Sequence, residues 1–104
     1  MRTAQEGERE RILATLRRHA PDLARQGVLS LRLFGSVARG EADEASDVDL
    51  AGEFDTAQGF SLIDLVGVEQ DLSDLLGRRV DLVSLRGLKP FVRARVEREG
   101  ILAF

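Results

Sequence analysis

Hydrophobic and polar positions follow two different periods along this chain, and these periods predict helices alternating with strands. Apolar residues three and four positions apart, separated by charged ones, are typical of a helix with one buried face. Short apolar runs bounded by glycine or polar residues are typical of strands. The predicted helices cover 4–24 with an interruption at Pro21, 61–76 and 90–99, and the predicted strands cover 28–34, 48–54 and 80–85. The apolar tail over 101–104 is expected to be a short edge strand or an interface element.

Local signals set the ends of these helices. Thr3 and Glu6 have the spacing of a capping box, which predicts that the first helix begins just after Thr3. Gly77 stands where a left-handed glycine ends a helix, and Pro90 suits the first turn of the last one. The face of the second long helix that is predicted to be buried consists of Leu62, Leu65, Val68, Leu72, Leu75 and Leu76.

The alternation of helices and strands with short connections indicates an α+β fold with helices layered on a sheet. Three strands, or four if the tail pairs, would form a small mixed β-sheet flanked by helices. No linker, repeat or low-complexity segment interrupts the pattern, so residues 1–104 are expected to form a single domain.

Composition narrows the chemistry that such a domain can perform. The 104 residues include no cysteine and one histidine, which excludes disulfides, thiolate zinc sites, cysteine nucleophiles and a histidine-rich metal centre within one chain. The formal net charge of −3 gives no broad basic surface, so direct nucleic-acid binding is not expected. The first residues are charged and no apolar run could span a membrane, so we expect a cytoplasmic protein. Carboxylates, hydroxyls, backbone amides and arginines remain, and oxygen donors suit hard metal ions.

Two carboxylates stand at the start of the second predicted strand. Because successive side chains of a strand point to opposite faces, Asp47 and Asp49 share one face. Val48 and Leu50 then point the other way, into the core. Like charges on one face repel each other, and oxygen ligands at this spacing suit Mg²⁺ or Mn²⁺. The alternative is that Asp47 caps a turn and Asp49 faces solvent.

Three further features accompany this pair. Gly35–Ser36 follows the first strand, where free amides and a hydroxyl can bind phosphate; alternatively, Ser36 is an ordinary helix cap. Asp81 interrupts the apolar third strand and would lie beside the aspartate pair if the two strands are neighbours; alternatively, it faces solvent. Arg39 is a candidate cation for phosphates, or else the partner of Glu41 or Asp43 in a salt bridge.

Together these positions resemble a known signature. Gly35–Ser36, ten residues, an Asp-x-Asp and a later strand carrying Asp81 are similar to the DNA polymerase β-like nucleotidyltransferase superfamily. More narrowly, residues 34–50 resemble the minimal nucleotidyltransferase (MNT) family, known from the antitoxins of HEPN/MNT toxin–antitoxin modules. The resemblance extends over most of the chain and implies the nucleotidyltransferase fold.

The resemblance implies a role for each of these residues. Asp47 and Asp49 would hold two divalent metal ions, Mg²⁺ or Mn²⁺, that bridge the triphosphate of ATP or another NTP. Asp81 would ligate the catalytic metal and orient or deprotonate the attacking hydroxyl. Gly35 and Ser36 would bind the β- and γ-phosphates, which leave as pyrophosphate, with Arg39 as an added cation.

The acceptor side of the site is expected to belong to another chain, because one predicted helix and the tail are all that follow Asp81. The resemblance implies a HEPN-domain toxin as partner, with AMP transferred from ATP to one of its tyrosines. Self-association into a homo-oligomer would also cover the sheet edges. Two alternatives are a small-molecule nucleotidyltransferase of the aminoglycoside type and a non-catalytic antitoxin that neutralises its partner by binding. The residues do not define the base, the acceptor, the number of nucleotides added or the oligomeric state.

Overall fold

A computed structural model of the chain describes residues 4–43 and 45–104. The predicted N-cap Thr3 lies outside the described residues. The helices are α1 (Ala4–Arg18), α2 (Ala20–Arg25), α3 (Gly35–Arg39), α4 (Leu62–Leu76) and α5 (Pro90–Glu99), with short 3₁₀ turns at Thr56–Gln58 and Leu85–Gly87. The strands are β1 (Val28–Phe34), β2 (Val48–Phe54), β3 (Val80–Ser84) and β4 (Ile101–Leu102). Within the described ranges, every helix is too short or too polar to cross a lipid bilayer.

The strands form one mixed sheet in the order β3-β2-β1-β4. Strand β1 pairs antiparallel with both β2 and β4, whereas β2 and β3 are parallel and are joined by the crossover helix α4. The expected α+β fold, a small mixed sheet flanked by helices, is confirmed, and the apolar tail supplies the fourth, edge strand. The third strand ends one residue earlier than predicted, because Leu85 begins a 3₁₀ turn.

One face of the sheet carries the main core, which packs against α1 to α4. Its largest fully buried side chains include Leu16, Leu31, Leu33, Leu50 and Leu72. The buried face of α4 is narrower than predicted: Leu62 and Leu75 are 75% and 37% exposed, whereas Val68 and Leu72 are buried. Both exposed leucines lie on the flanks of the apolar stripe, and Leu62 is the first residue of the helix.

The other face of the sheet is only partly covered. A smaller apolar cluster of Ala51, Leu85 and Val96 joins it to α5. Side chains alternate along each strand, so every second residue lies on the same face. Asp49 and Asp81 therefore lie on this face too, two positions before Ala51 on β2 and Val83 on β3. The fold therefore places the acidic residues at one end of the less covered face.

Helix side chains bind the backbone at both outer strands. The amide of Leu82 donates to the Glu69 carboxylate over 2.9 Å, and the amide of Val80 donates to the Ser73 hydroxyl over 3.2 Å. Beside β4, Arg17 donates to the carbonyls of 102 and 103 over 3.0 and 2.8 Å. These bonds occupy polar backbone groups that an open sheet edge would offer to another chain.

Candidate active site

The three acidic residues predicted for the site lie at the same end of the sheet. Asp49 is the second residue of β2 and stands in direct register with Asp81 on β3. On its other side, Asp49 is in register with Phe34, the last residue of β1. Asp47 is the residue just before β2, two positions from Asp49, and it continues the face on which Asp49 lies. The structure thus makes the second and third strands neighbours, the condition under which the sequence predicts that Asp81 lies beside the aspartate pair.

The apolar residues that alternate with Asp47 and Asp49 keep these carboxylates out of the core. Val48 and Leu50 are both fully buried, so the strand cannot slip by one residue without moving them into solvent. Asp47 and Asp49, which alternate with these two apolar residues, are each half-buried, and Asp81 is exposed. The alternation predicted for this segment is present, and Asp49 is more enclosed than a residue that simply faces solvent.

Burial and the repulsion of neighbouring carboxylates both act on Asp49. Partial burial raises the pKa of the Asp49 carboxyl, and the negative charges of Asp81 and then Asp47 raise it further. Arg39 acts in the opposite direction and lowers it. The charge of Asp49 is therefore only partly compensated by its surroundings.

The backbone of Gly35 lies directly against Asp49. Gly35 has a φ of +75°, a conformation that favours glycine, and a Cβ at this position would stand 2.2 Å from Asp49 Oδ2. Only a residue without a side chain allows β1 to turn into α3 this close to the carboxylate. The glycine therefore joins the predicted phosphate-binding turn and the aspartate pair in one site.

Ser36 is not the cap of the following helix. Helix α3 starts at Gly35, its N-cap position is Phe34, and no side chain caps it. The Ser36 carbonyl accepts from the Glu41 amide over 2.9 Å, whereas its hydroxyl has no hydrogen-bond partner in the part of the chain that the structure describes. The alternative that Ser36 is an ordinary cap is thus wrong, and its hydroxyl remains available to a ligand.

Arg39 forms the salt bridge that the sequence offered as an alternative. Its Nε lies 2.9 Å from Glu41 Oε2, with both side chains largely exposed. That hydrogen bond is the main cause that raises the pKa of Arg39, and the charges of Glu99 and Asp49 contribute to the rise. Arg39 is thus within electrostatic reach of the aspartates, although its direct partner is Glu41.

The donor chemistry of the site fits a hard divalent cation. Carboxylate oxygens are the ligands that Mg²⁺ and Mn²⁺ prefer, and a cation would offset the repulsion that raises the pKa of Asp49. In residues 4–43 and 45–104, however, no three acidic or histidine side chains converge closely enough to hold an ion. The aspartates therefore share a face and a register without forming a closed ligand set.

Arg78 is not among the site residues predicted from the sequence. Its side chain is nevertheless only 12% exposed. It contacts Glu8 and the carbonyls of Asp43 and Ser46, whereas Arg79 is 83% exposed. Two identical neighbours carry no sequence signal that says which one turns inward after Gly77.

The chain is similar in sequence and in fold to known proteins. The family model of the nucleotidyltransferase domain matches residues 12–103. The protein adenylyltransferase MntA of Thermococcus cleftensis is 42% identical over 93 residues, which cover 88% of this chain and 92% of that protein. A solved structure assigned as a minimal nucleotidyltransferase is 45% identical, with a TM-score of 0.74 and 95% of each chain covered.

Two solved toxin–antitoxin structures are also similar. A toxin–antitoxin with AMP-PNP has a TM-score of 0.68 and 26% identity, covering 85% of this chain and 72% of the matched one. The other contains a tri-AMPylated HEPN toxin of Shewanella oneidensis in complex with an MNT antitoxin. It has a TM-score of 0.58 and 25% identity, covering 96% of this chain and 71% of the matched one.

Proposed function

Because the chain belongs to the nucleotidyltransferase domain family, we propose that it transfers AMP from ATP to a hydroxyl group of a partner protein. A bond forms between the acceptor oxygen and the α-phosphorus. The bond from that phosphorus to the oxygen bridging to the β-phosphate breaks, and pyrophosphate leaves. The observation that carries the proposal is the direct register of Asp49 and Asp81, with Gly35 against Asp49.

Each aspartate has a separate task in this proposal. Asp47 and Asp49 would hold divalent metal, Mg²⁺ in the first instance, and Asp81 would share in holding it. Such ions neutralise charge on the attacking and leaving oxygens of an in-line displacement. Asp81 is the most exposed of the three, so its carboxylate is the one that can also accept a hydrogen bond from an arriving hydroxyl.

The turn from β1 into α3 would bind the β- and γ-phosphates. Gly35 lets the backbone approach without a side chain, and the Ser36 hydroxyl is free within the described chain to donate to a phosphate oxygen. Arg39 would add a positive charge by exchanging Glu41 for a phosphate. That exchange costs little free energy, because an ion pair between two exposed side chains is weak.

The partner proposed for this chain is a HEPN toxin, and the acceptor is one of its tyrosines. The similarity to an MNT antitoxin in complex with an AMPylated HEPN toxin supports this assignment. The chain itself contains no tyrosine. A tyrosine acceptor must therefore be supplied by another molecule, and AMP found on tyrosine cannot come from self-modification.

The test is a transfer assay with the protein, Mg²⁺ and a HEPN toxin co-purified as its partner. ATP labelled at the α-phosphate is compared with ATP labelled at the γ-phosphate, and mass spectrometry locates the modified residue. We expect only the α-label to reach the toxin, on tyrosine, and to disappear with EDTA. Asp47→Asn and Asp81→Asn are expected to abolish labelling without preventing complex formation.

Other outcomes identify the alternatives. Label on an added aminoglycoside, and none on the toxin, would show a small-molecule nucleotidyltransferase. Neutralisation of the toxin by Asp47→Asn and Asp81→Asn as complete as by the wild type would show that binding alone suffices. Transfer from another NTP in preference to ATP would correct the nucleotide but leave the reaction class intact.

A further inference from the structure

Arg78 connects three segments that are distant in sequence. It lies between α4 and β3, just after Gly77, and its Nη1 donates to Glu8 Oε1 on α1 over 2.8 Å. Its Nη2 donates to the carbonyl of Asp43 over 3.0 Å and also to the carbonyl of Ser46. The side chain is thus fixed between the first helix and the segment that leads into β2.

The carbonyls that Arg78 binds belong to the turn immediately before the aspartates. Within this turn, the Ala45 amide donates to Asp43 Oδ1 over 2.9 Å, and the Ser46 amide donates to the Asp43 carbonyl over 3.2 Å. Ser46 is followed directly by Asp47, and the Val48 amide donates to the Arg79 carbonyl over 2.9 Å. The start of β2 is therefore held by the Arg78 side chain before Asp47 and by the neighbouring backbone after it.

The site gives a physical reason for such a hold. Asp47, Asp49 and Asp81 carry like charges on one face, and repulsion favours any movement that separates them. Asp47 lies outside the regular strand, so ladder hydrogen bonds do not fix it as they fix Asp49. A guanidinium that binds two carbonyls of the preceding turn at once restrains that turn.

We propose that Arg78 is a positioning residue for nucleotidyl transfer: it binds the carbonyls of Asp43 and Ser46 and thereby holds Asp47 in place. The expected effect of Arg78 on AMP transfer rests on the proposed function. Arg78 acts through the turn and contacts neither nucleotide nor acceptor. Its removal lowers the rate of the bound complex and leaves recognition of the partner intact.

The test compares Arg78→Met with Arg11→Met in the full chain. Arg11 also pairs with Glu8 but is 70% exposed and binds neither carbonyl, so it matches the loss of charge and of the Glu8 contact. We expect Arg78→Met to lower kcat about 10–100-fold, the range found when groups supporting metal ligands are removed. The KM for the partner protein is expected to stay within about twofold, and Arg11→Met to keep both constants.

Hydrogen exchange of the protein alone gives a readout independent of activity. In Arg78→Met the amides of Ala45, Ser46 and Val48 are expected to exchange faster, on the order of tenfold, with the Leu82 amide unchanged. Leu82 is a suitable reference because its amide binds Glu69 on the far edge of the sheet. Arg78→Lys keeps the charge but not the forked donor, and it serves as the second variant if Arg78→Met does not fold. Its exchange rates and kcat are expected to lie between those of the wild type and those of Arg78→Met.

Two results would overturn the inference. One is equal loss of kcat in Arg78→Met and Arg11→Met; the other is faster exchange across the whole sheet, which would show general destabilisation. If the wild type transfers no AMP, the proposed function fails, while local exchange at the turn still decides whether Arg78 holds it.

Discussion

Leu50 and Asp49 are neighbours on β2 but lie on opposite faces of the sheet, in surroundings of opposite character. Leu50 is fully enclosed by apolar side chains of the main core. Asp49 faces two other carboxylates, and burial together with these charges raises its pKa. Among the described residues, every side chain classed as buried is apolar.

The difference shows how this fold carries an unfavourable group of charges. Burial of apolar area contributes about 25 cal/mol per Å² and is concentrated on the side of α1 and α4. The opposite face has a small cluster under α5 and leaves the aspartates partly open. Stability and proposed chemistry therefore depend on alternate residues of the same strands, and substitutions on the two faces should have separable effects.

The largest effect on stability is expected from the core face. Leu50→Ala removes a fully buried side chain and leaves a cavity, which costs about 2–5 kcal/mol. Urea unfolding followed by circular dichroism measures this loss. At a temperature where the variant is still folded, its AMP transfer per folded molecule is expected to match the wild type; a loss of less than about 1 kcal/mol would show that the core lies elsewhere.

Gly35→Ala is expected to lower both stability and AMP transfer, because this residue lies in the backbone turn that directly contacts Asp49. Its φ of +75° and the 2.2 Å approach of a Cβ to Asp49 Oδ2 predict a loss of about 1–3 kcal/mol. Transfer falls as well, since Asp49 must move. Gly40→Ala, with a φ of +74° and open space around its Cβ, is the matched control. Equal transfer in the two variants would refute the close contact as a functional feature.

Asp81→Asn is expected to stabilise the protein while it abolishes transfer. A raised pKa means that the folded state disfavours ionised Asp49, so Asp49 lowers stability when the pH is above its pKa and ceases to do so as the pH falls. Removing the negative charge of Asp81, which repels that of Asp49, should raise the free energy of unfolding at neutral pH by about 0.2–1 kcal/mol. Thermal unfolding without added metal measures this gain, and a loss would mean that the carboxylates do not repel.

Ser36→Ala is expected to change stability least, by less than about 0.5 kcal/mol, because the hydroxyl has no partner in the described chain. Its effect should appear in nucleotide binding, as a raised KM for ATP with an unchanged melting temperature. Thermal unfolding measured with and without ATP separates an effect on stability from an effect on nucleotide binding. A lower melting temperature and an unchanged KM would assign the hydroxyl a structural role.

The local pattern of the sequence predicts much of this arrangement. Alternation along 48–50 predicts which face holds the aspartates, and the single carboxylate in the third apolar run predicts Asp81 as their companion. Register follows once the two strands are neighbours, because an apolar face fixes it. The roles of Asp47, Asp49, Asp81, Gly35, Ser36 and Arg39 in catalysis and binding stay predictions.

Other features depend on tertiary contacts that a single sequence does not encode locally. A helical period shows which side of α4 is apolar, but not how much of it the sheet covers. Leu62 and Leu75 therefore belong to the apolar stripe and are still exposed. The inward turn of Arg78 depends on Glu8, 70 residues away, and on carbonyls that any sequence would have. Such contacts are set by chain packing, where residue type carries little information.

The measurement that tests the proposed role of Asp49 most directly is a paired determination on Asp49→Asn: its free energy of unfolding and its rate of AMP transfer to the HEPN partner. This role predicts a rate lower by on the order of 10³-fold, with stability equal to or slightly above that of the wild type. Transfer within about twofold of the wild type, or a loss of stability as large as the ~2–5 kcal/mol expected for Leu50→Ala, would contradict it.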